Sequence, residues 1–185
     1  MKLGWLGNSC VVIEAEMRVI VDPNYVAEPV GSFDYVLVTH EHADHIDIEK
    51  LRNLDYKKLV APEHTLKMYD LEGIAAKPGD KFDGIEVLES WCWKSEESVS
   101  YLYNGVLHAG DSAKFPDCKA RVVLTACFPD YYDDYVSEMK RLKPELVIPV
   151  HFKPEKRKNA EGLCERLAGE GINCRILEIG EFIEL

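Results

Sequence analysis

The segment His40-Glu41-His42-Ala43-Asp44-His45 is the part of this chain best suited to chemistry. It places half of the chain's 6 histidines within a few positions, directly after an apolar run ending at Thr39. In extended backbone, residues two apart point to the same side, so His40 and His42 can converge on one ion. Asp44 and His45 lie just beyond, where the chain must turn, and can face a second ion. Neutral imidazole beside carboxylate suits zinc, manganese or iron(II) better than calcium or magnesium. One or two zinc ions are the expected cofactors, with manganese or iron as alternatives.

A two-ion site needs ligands from other strand ends, and two segments offer them. His108-Ala109-Gly110-Asp111 follows one short apolar strand, and Pro149-Val150-His151 closes another. Alone, Asp111 reads equally as a turn residue and His151 as a surface histidine. With the first motif, both read as metal ligands. His108 is open between holding a carboxylate near the site and lining its strand. Asp22 is open between bonding a site histidine and capping the loop after its own strand. His64 matches no ligand position and suits a helix start.

The elements that must position these groups follow from pattern. Short strands are expected at 2–6, 10–14 and 18–22, and the apolar run 34–39 reads as a strand covered on both faces. Asp47 is a plausible N-cap for a helix over 48–54. A brief strand at 59–61 and a helix over 65–72 follow. Strands at 81–82 and 85–89 flank Asp83-Gly84, and strands at 99–103 and 106–109 flank Asn104-Gly105, a strong hairpin signal. Strands at 121–125, 146–150, 175–179 and 181–184 alternate with helices over 132–142 and 159–168. The acidic, aromatic run from Asp130 to Tyr135 reads as a solvated helix start that could rim a pocket.

The 185 residues suit one domain, 1–185, with 46% hydrophobic and 30% charged residues. The formal charge of -11 disfavours nucleic acid and anionic membrane as partners. A small-molecule substrate is expected instead, and the basic stretch from Lys153 to Lys158 could draw an anionic one. No signal-like leader or spanning stretch is evident. The 6 cysteines form no C-x-x-C pair and read as reduced thiols in a cytoplasmic protein.

Taken together, H-x-H-x-D-H, a G-D at a strand end and a late histidine resemble the metallo-β-lactamase superfamily. Trp5-Leu6-Gly7-x-Ser9-Cys10, Asp22-Pro23, H-A-G-D and I-P-V-H resemble more narrowly the small metal-dependent hydrolases akin to L-ascorbate-6-phosphate lactonase. The resemblance implies a single-domain α/β fold, an αββα sandwich with the metal site at one edge of two sheets. It implies that His40 and His42 hold the first metal, that Asp44, His45 and His151 hold the second, and that Asp111 bridges both. It gives Asp44 the catalytic role of orienting a metal-bound hydroxide.

Two departures stand out. The superfamily's additional first-metal histidine would fall near Trp91-Cys92-Trp93, where Cys92 is either a thiolate ligand or buried packing. Asn8 stands where related hydrolases usually carry a histidine that could handle substrate. The expected function is a hydrolase cleaving an ester, lactone or phosphoester of a small molecule. The alternatives are a degenerate metal-binding sensor or scaffold, and a mononuclear iron redox enzyme.

Overall fold

A computed structural model describes residues 1–185. Two sheets face each other. The first runs in the order β13-β1-β2-β3-β4-β5-β6 and the second in the order β12-β11-β10-β9-β8-β7. The first is built from β1 (Lys2–Gly7), β2 (Cys10–Glu14), β3 (Arg18–Val21), β4 (Phe33–Leu37), β5 (Tyr56–Pro62), β6 (Ile74–Ala76) and β13 (Phe182–Glu184). The second contains β7 (Lys81–Phe82), β8 (Ile85–Glu89), β9 (Val99–Tyr103), β10 (Val106–His108), β11 (Val122–Thr125) and β12 (Leu146–Pro149).

Strand alternation makes the layers. On β2, Val11 and Ile13 enter the large core between the sheets. Their neighbours Cys10 and Val12 enter a smaller cluster on the outer face. That outer cluster includes Leu51 of α1 (Ile48–Arg52) and Leu66 of α2 (Glu63–Met68). The opposite face of the molecule is covered by α3 (Tyr132–Leu142) and α4 (Arg157–Gly169), whose Tyr135, Met139, Leu163 and Leu167 pack into the large core. Each sheet therefore buries both faces, and the expected αββα sandwich is the architecture found.

Local chemistry sets several boundaries. Asp47 caps α1, accepting from the backbone N–H groups of Glu49 and Lys50. Asn104 and Gly105 both take positive φ, at 48° and 78°, and close the β9–β10 hairpin. β5 is longer than expected because parallel pairing with β4 and β6 extends it on both sides. The α2 helix begins earlier, at Glu63, since Pro62 ends β5 with a φ of -52° that already suits helix entry.

The region 175–179 forms no strand. Its Arg175 N–H donates to the Val147 carbonyl at 2.9 Å, next to an isolated bridge between Val147 and Cys174. Cys164 and Cys174 form a disulfide, which corrects the expectation of 6 reduced thiols. The turn after α4 brings their Cα atoms to 5.1 Å. No helix is long and apolar enough to cross a membrane.

Candidate metal centre

The strand ends of both sheets meet at one edge, and the chemistry-bearing residues converge there. His40 and His42 leave the loop after β4, Asp111 follows β10, His151 follows β12, and Cys92 sits in the loop between β8 and β9. His40 Nε2 lies 3.1 Å from His42 Nδ1. Cys92 Sγ lies 3.4 Å from His40 Nε2 and 3.7 Å from His42 Nδ1. Ligand atoms around a tetrahedral zinc are about 3.3–3.6 Å apart, given metal–nitrogen and metal–sulfur bonds of about 2.0–2.3 Å. The three distances bracket that range, so these atoms lie close enough together to share one ion.

Asp44, His45 and His151 form a second group. His151 Nε2 is 3.1 Å from Asp44 Oδ2, and the His45 and His151 rings stack at 4.8 Å. Asp111 stands between the groups. Its Oδ1 faces His45 Nε2 at 3.0 Å and His151 Nδ1 at 3.6 Å, while its Oδ2 faces His40 Nε2 at 3.7 Å and Cys92 Sγ at 4.0 Å.

Buried partners fix the histidines. Asp22 is fully buried and its carboxylate accepts from Thr39 N–H at 2.7 Å, Thr39 Oγ1 at 2.9 Å and His45 Nδ1 at 2.7 Å. A carboxylate only accepts, so the His45 proton on this bond sits on Nδ1, and Nε2 points at Asp111. The Thr39 hydroxyl spends its proton on Asp22 and so accepts from His40 Nδ1, 3.0 Å away. That leaves the His40 Nε2 lone pair directed into the cluster. Of the two readings of Asp22, the structure supports the bond to a site histidine. His108 donates from Nε2 to the Ser9 carbonyl at 2.8 Å and accepts from Gly110 N–H. It ties strand end to loop and holds no carboxylate, its nearest being Asp22 at 3.9 Å.

Burial and charge set the protonation. Burial alone would depress His45, but the Asp22 and Asp111 carboxylates outweigh it and lift the imidazole to about 10. Burial opposes ionisation of Asp111, yet the facing His45, His151 and His40 hold it well below the usual carboxylate range. Burial, reinforced by His45, drives His40 down to about 3. The hydrogen bond from His151 keeps Asp44 at about 2 against its partial burial. Burial first, then Asp111, pushes the Cys92 thiol up to about 12.

Backbone strain gathers here too. Asn8, Asp22 and His151 all take positive φ, at 49°, 52° and 59°, conformations that side-chain-bearing residues hold only where surroundings impose them. The Asn8 carbonyl accepts from His151 N–H at 2.7 Å, and its side chain donates to the Asn24 carbonyl at 2.8 Å. Asn8 thus positions the His151 loop. Gly110, just before Asp111, also takes positive φ, at 59°, a conformation glycine adopts without strain.

Sequence reasoning passed over Glu41, the residue between the first two histidines. Its carboxylate accepts from Ser95 Oγ at 2.7 Å and from Glu96 N–H at 2.8 Å. That pins the loop carrying Cys92 to the histidine motif. Nothing local could have signalled it, because the partners are more than 50 residues apart. His64 lies in the first turn of α2, outside the cluster.

An αββα sandwich with histidine, carboxylate and thiol groups gathered at one sheet edge defines a protein of the metallo-β-lactamase fold. The chain belongs to the beta-lactamase superfamily domain family Lactamase_B_3, which matches residues 2–151. It is similar to the UPF0173 metal-dependent hydrolase of Methanoculleus marisnigri, 27% identical and covering 100% of this chain and 97% of that one. Among solved structures it resembles a Parabacteroides distasonis protein, with 20% identity, a TM-score of 0.77 and coverage of 95% of this chain and 91% of that one. A diiron β-hydroxylase of Streptomyces venezuelae shares the fold at 14% identity and a TM-score of 0.71, over 100% of this chain and 54% of that one.

Proposed function

We propose that this protein is a metal-dependent hydrolase that cleaves an ester, lactone or phosphoester bond of a small molecule. The observation that carries the reading is the split cluster itself, two groups of ligand atoms with the Asp111 carboxylate between them. The residues fit a metal on two counts. His151 Nδ1 is buried without a hydrogen-bond partner, an arrangement that costs about 1–3 kcal/mol unless something binds it. Two histidines and a thiol, His40, His42 and Cys92, also crowd within 3.7 Å of one another, beside the Asp111 carboxylate.

His40, His42 and Cys92 would hold one ion, Asp44, His45 and His151 another, and Asp111 both. When bound, such ions bring a water molecule's pKa toward neutrality and polarise the oxygen of the bond to be cleaved. Zinc is the favoured metal, because a thiol in the first group selects soft or borderline ions over iron held by nitrogen and oxygen alone. That same thiol weighs against the iron redox reading. A complete donor set weighs against a degenerate sensor.

The chain's own residues then have distinct tasks. Asp44, half-exposed and ionised across the neutral range, orients the attacking water through the oxygen not bonded to His151. Asp22 and Thr39 fix the histidine tautomers. Asn8 holds the His151 loop in its strained turn. The charge of -11 supports a small molecule over nucleic acid as partner.

Metal analysis of Asp111→Ala tests the reading. Loss of the shared carboxylate should remove most bound metal together with hydrolytic activity. Full metal content in a folded Asp111→Ala protein would overturn the bridging assignment.

A further inference from the structure

The cluster opens onto a cleft of about 680 Å³, within the size range of small-molecule sites. Its walls are aromatic. Trp91 and Trp93, on either side of Cys92, line the cleft together with Phe128 and Tyr131, which lie just before α3. Trp91 is 44% exposed, Trp93 78% and Tyr131 47%. Exposure of this kind is unusual in a chain that buries its other tryptophan, Trp5. The Phe128 ring stands edge-on to the His151 ring at 5.4 Å, so the aromatic wall continues into the metal cluster.

The cleft has an asymmetric charge. Lys114 Nζ rests 4.6 Å from the Trp91 ring centroid, and no carboxylate lies within ion-pair distance of it. Ser112 Oγ accepts from Lys114 N–H at 3.1 Å and donates to the Lys114 carbonyl. These bonds fix the Lys114 backbone in the turn that follows Asp111. On the opposite wall, Glu138 is spent on Arg141 and on Phe115 N–H. Asp134 is unpaired and repels an anion from that side. The basic stretch expected to attract substrate does not line the cleft, and its Arg157 pairs with Glu161 and Glu178.

We propose that this cleft binds a small molecule that joins a flat ring to a carboxylate or phosphate. The ring lies between the Trp91 and Tyr131 walls and the anionic group reaches Lys114. The inference rests on the metal-centre reading for its place in catalysis, but the cleft binds through its own side chains. Stacking on exposed aromatic rings gives affinity for flat rings, and the Lys114 ammonium, held against a ring but paired with no carboxylate, keeps its charge for an anion.

The test uses zinc-loaded and metal-free protein, followed by tryptophan fluorescence and calorimetry. The probes are 2-naphthoate, naphthylmethylphosphonate, uncharged 2-naphthol and acetate. The naphthyl anions should bind at least about tenfold more tightly than acetate, and whichever binds more tightly identifies carboxylate or phosphate as the group Lys114 reads. Trp91→Ala should weaken naphthoate about three- to tenfold, while Trp91→Phe largely retains it. Lys114→Met should reduce naphthoate to the affinity of 2-naphthol and leave 2-naphthol unchanged.

Naphthoate binding no tighter than acetate, or indifferent to Trp91→Ala and Lys114→Met, overturns the proposal. If zinc is retained and the probes fail, the cleft assignment falls alone. If zinc fails to bind but the metal-free protein still takes the probes with the same variant dependence, the cleft stands and the metal-centre reading falls.

Discussion

Asp22→Asn changes one buried group without changing its size, and the structure dictates the consequence. The Asp22 carboxylate accepts three bonds, from Thr39 N–H at 2.7 Å, Thr39 Oγ1 at 2.9 Å and His45 Nδ1 at 2.7 Å. An asparagine has one accepting oxygen and one donating NH2. If its oxygen keeps Thr39 N–H, the NH2 faces both the threonine hydroxyl and His45 Nδ1. His45 must then accept on Nδ1 and carry its proton on Nε2, the nitrogen aimed at Asp111. The variant therefore presents an N–H where the wild type can present a lone pair to a metal.

Losing a hydrogen bond to a charged group costs about 1.5–3 kcal/mol. Removing the partner that orients a metal-bound histidine typically lowers affinity about 10- to 100-fold, or about 1.4–2.7 kcal/mol, so the two estimates agree. Competition with a chromophoric chelator would give the zinc dissociation constant for both proteins, with circular dichroism confirming the fold. An unchanged zinc affinity in a folded Asp22→Asn protein would refute the argument and leave Asp22 a loop-capping residue.

Cys92→Ser should lower zinc stoichiometry from about two ions to about one. In cobalt-substituted protein it should abolish the sulfur-to-metal charge-transfer absorption, and an unaltered spectrum would make Cys92 mere packing. Metal uptake near neutral pH should release protons, because His45 is held protonated up to about 10 and Cys92 up to about 12. Zinc affinity should therefore rise with pH. The stabilisation that the His45 imidazolium gives the metal-free fold is complete below 6.5 and is lost as pH rises through about 10. Calorimetry that shows no dependence on buffer ionisation enthalpy would contradict this. Replacing both Cys164 and Cys174 with serine opens a loop of sequence separation 10, worth about 2.7 kcal/mol on the chain-entropy estimate. The melting temperature should fall by roughly 5–10 °C, and no change would mean that the fold does not depend on this link.

The sequence by itself determined what short range governs. Short apolar runs bounded by turn residues marked most of the strands, Asp47 and Asn104-Gly105 set a helix start and a hairpin, and residues two apart after an apolar strand put His40 beside His42. Each of these follows from backbone geometry within a few residues. The resemblance carried the order of the more distant candidates. Only the tertiary structure decided what lies between the sheets. Asp22 meets His45 from 23 residues away, Glu41 reaches the loop carrying Cys92 from more than 50, and His151 meets Asp44 from 107. It also paired Cys164 with Cys174 and placed Lys114, rather than the basic stretch after His151, on the cleft. Local pattern specifies which face a side chain takes, whereas the partner on that face depends on how two sheets stack. A long-range contact leaves no periodic trace in the chain that makes it.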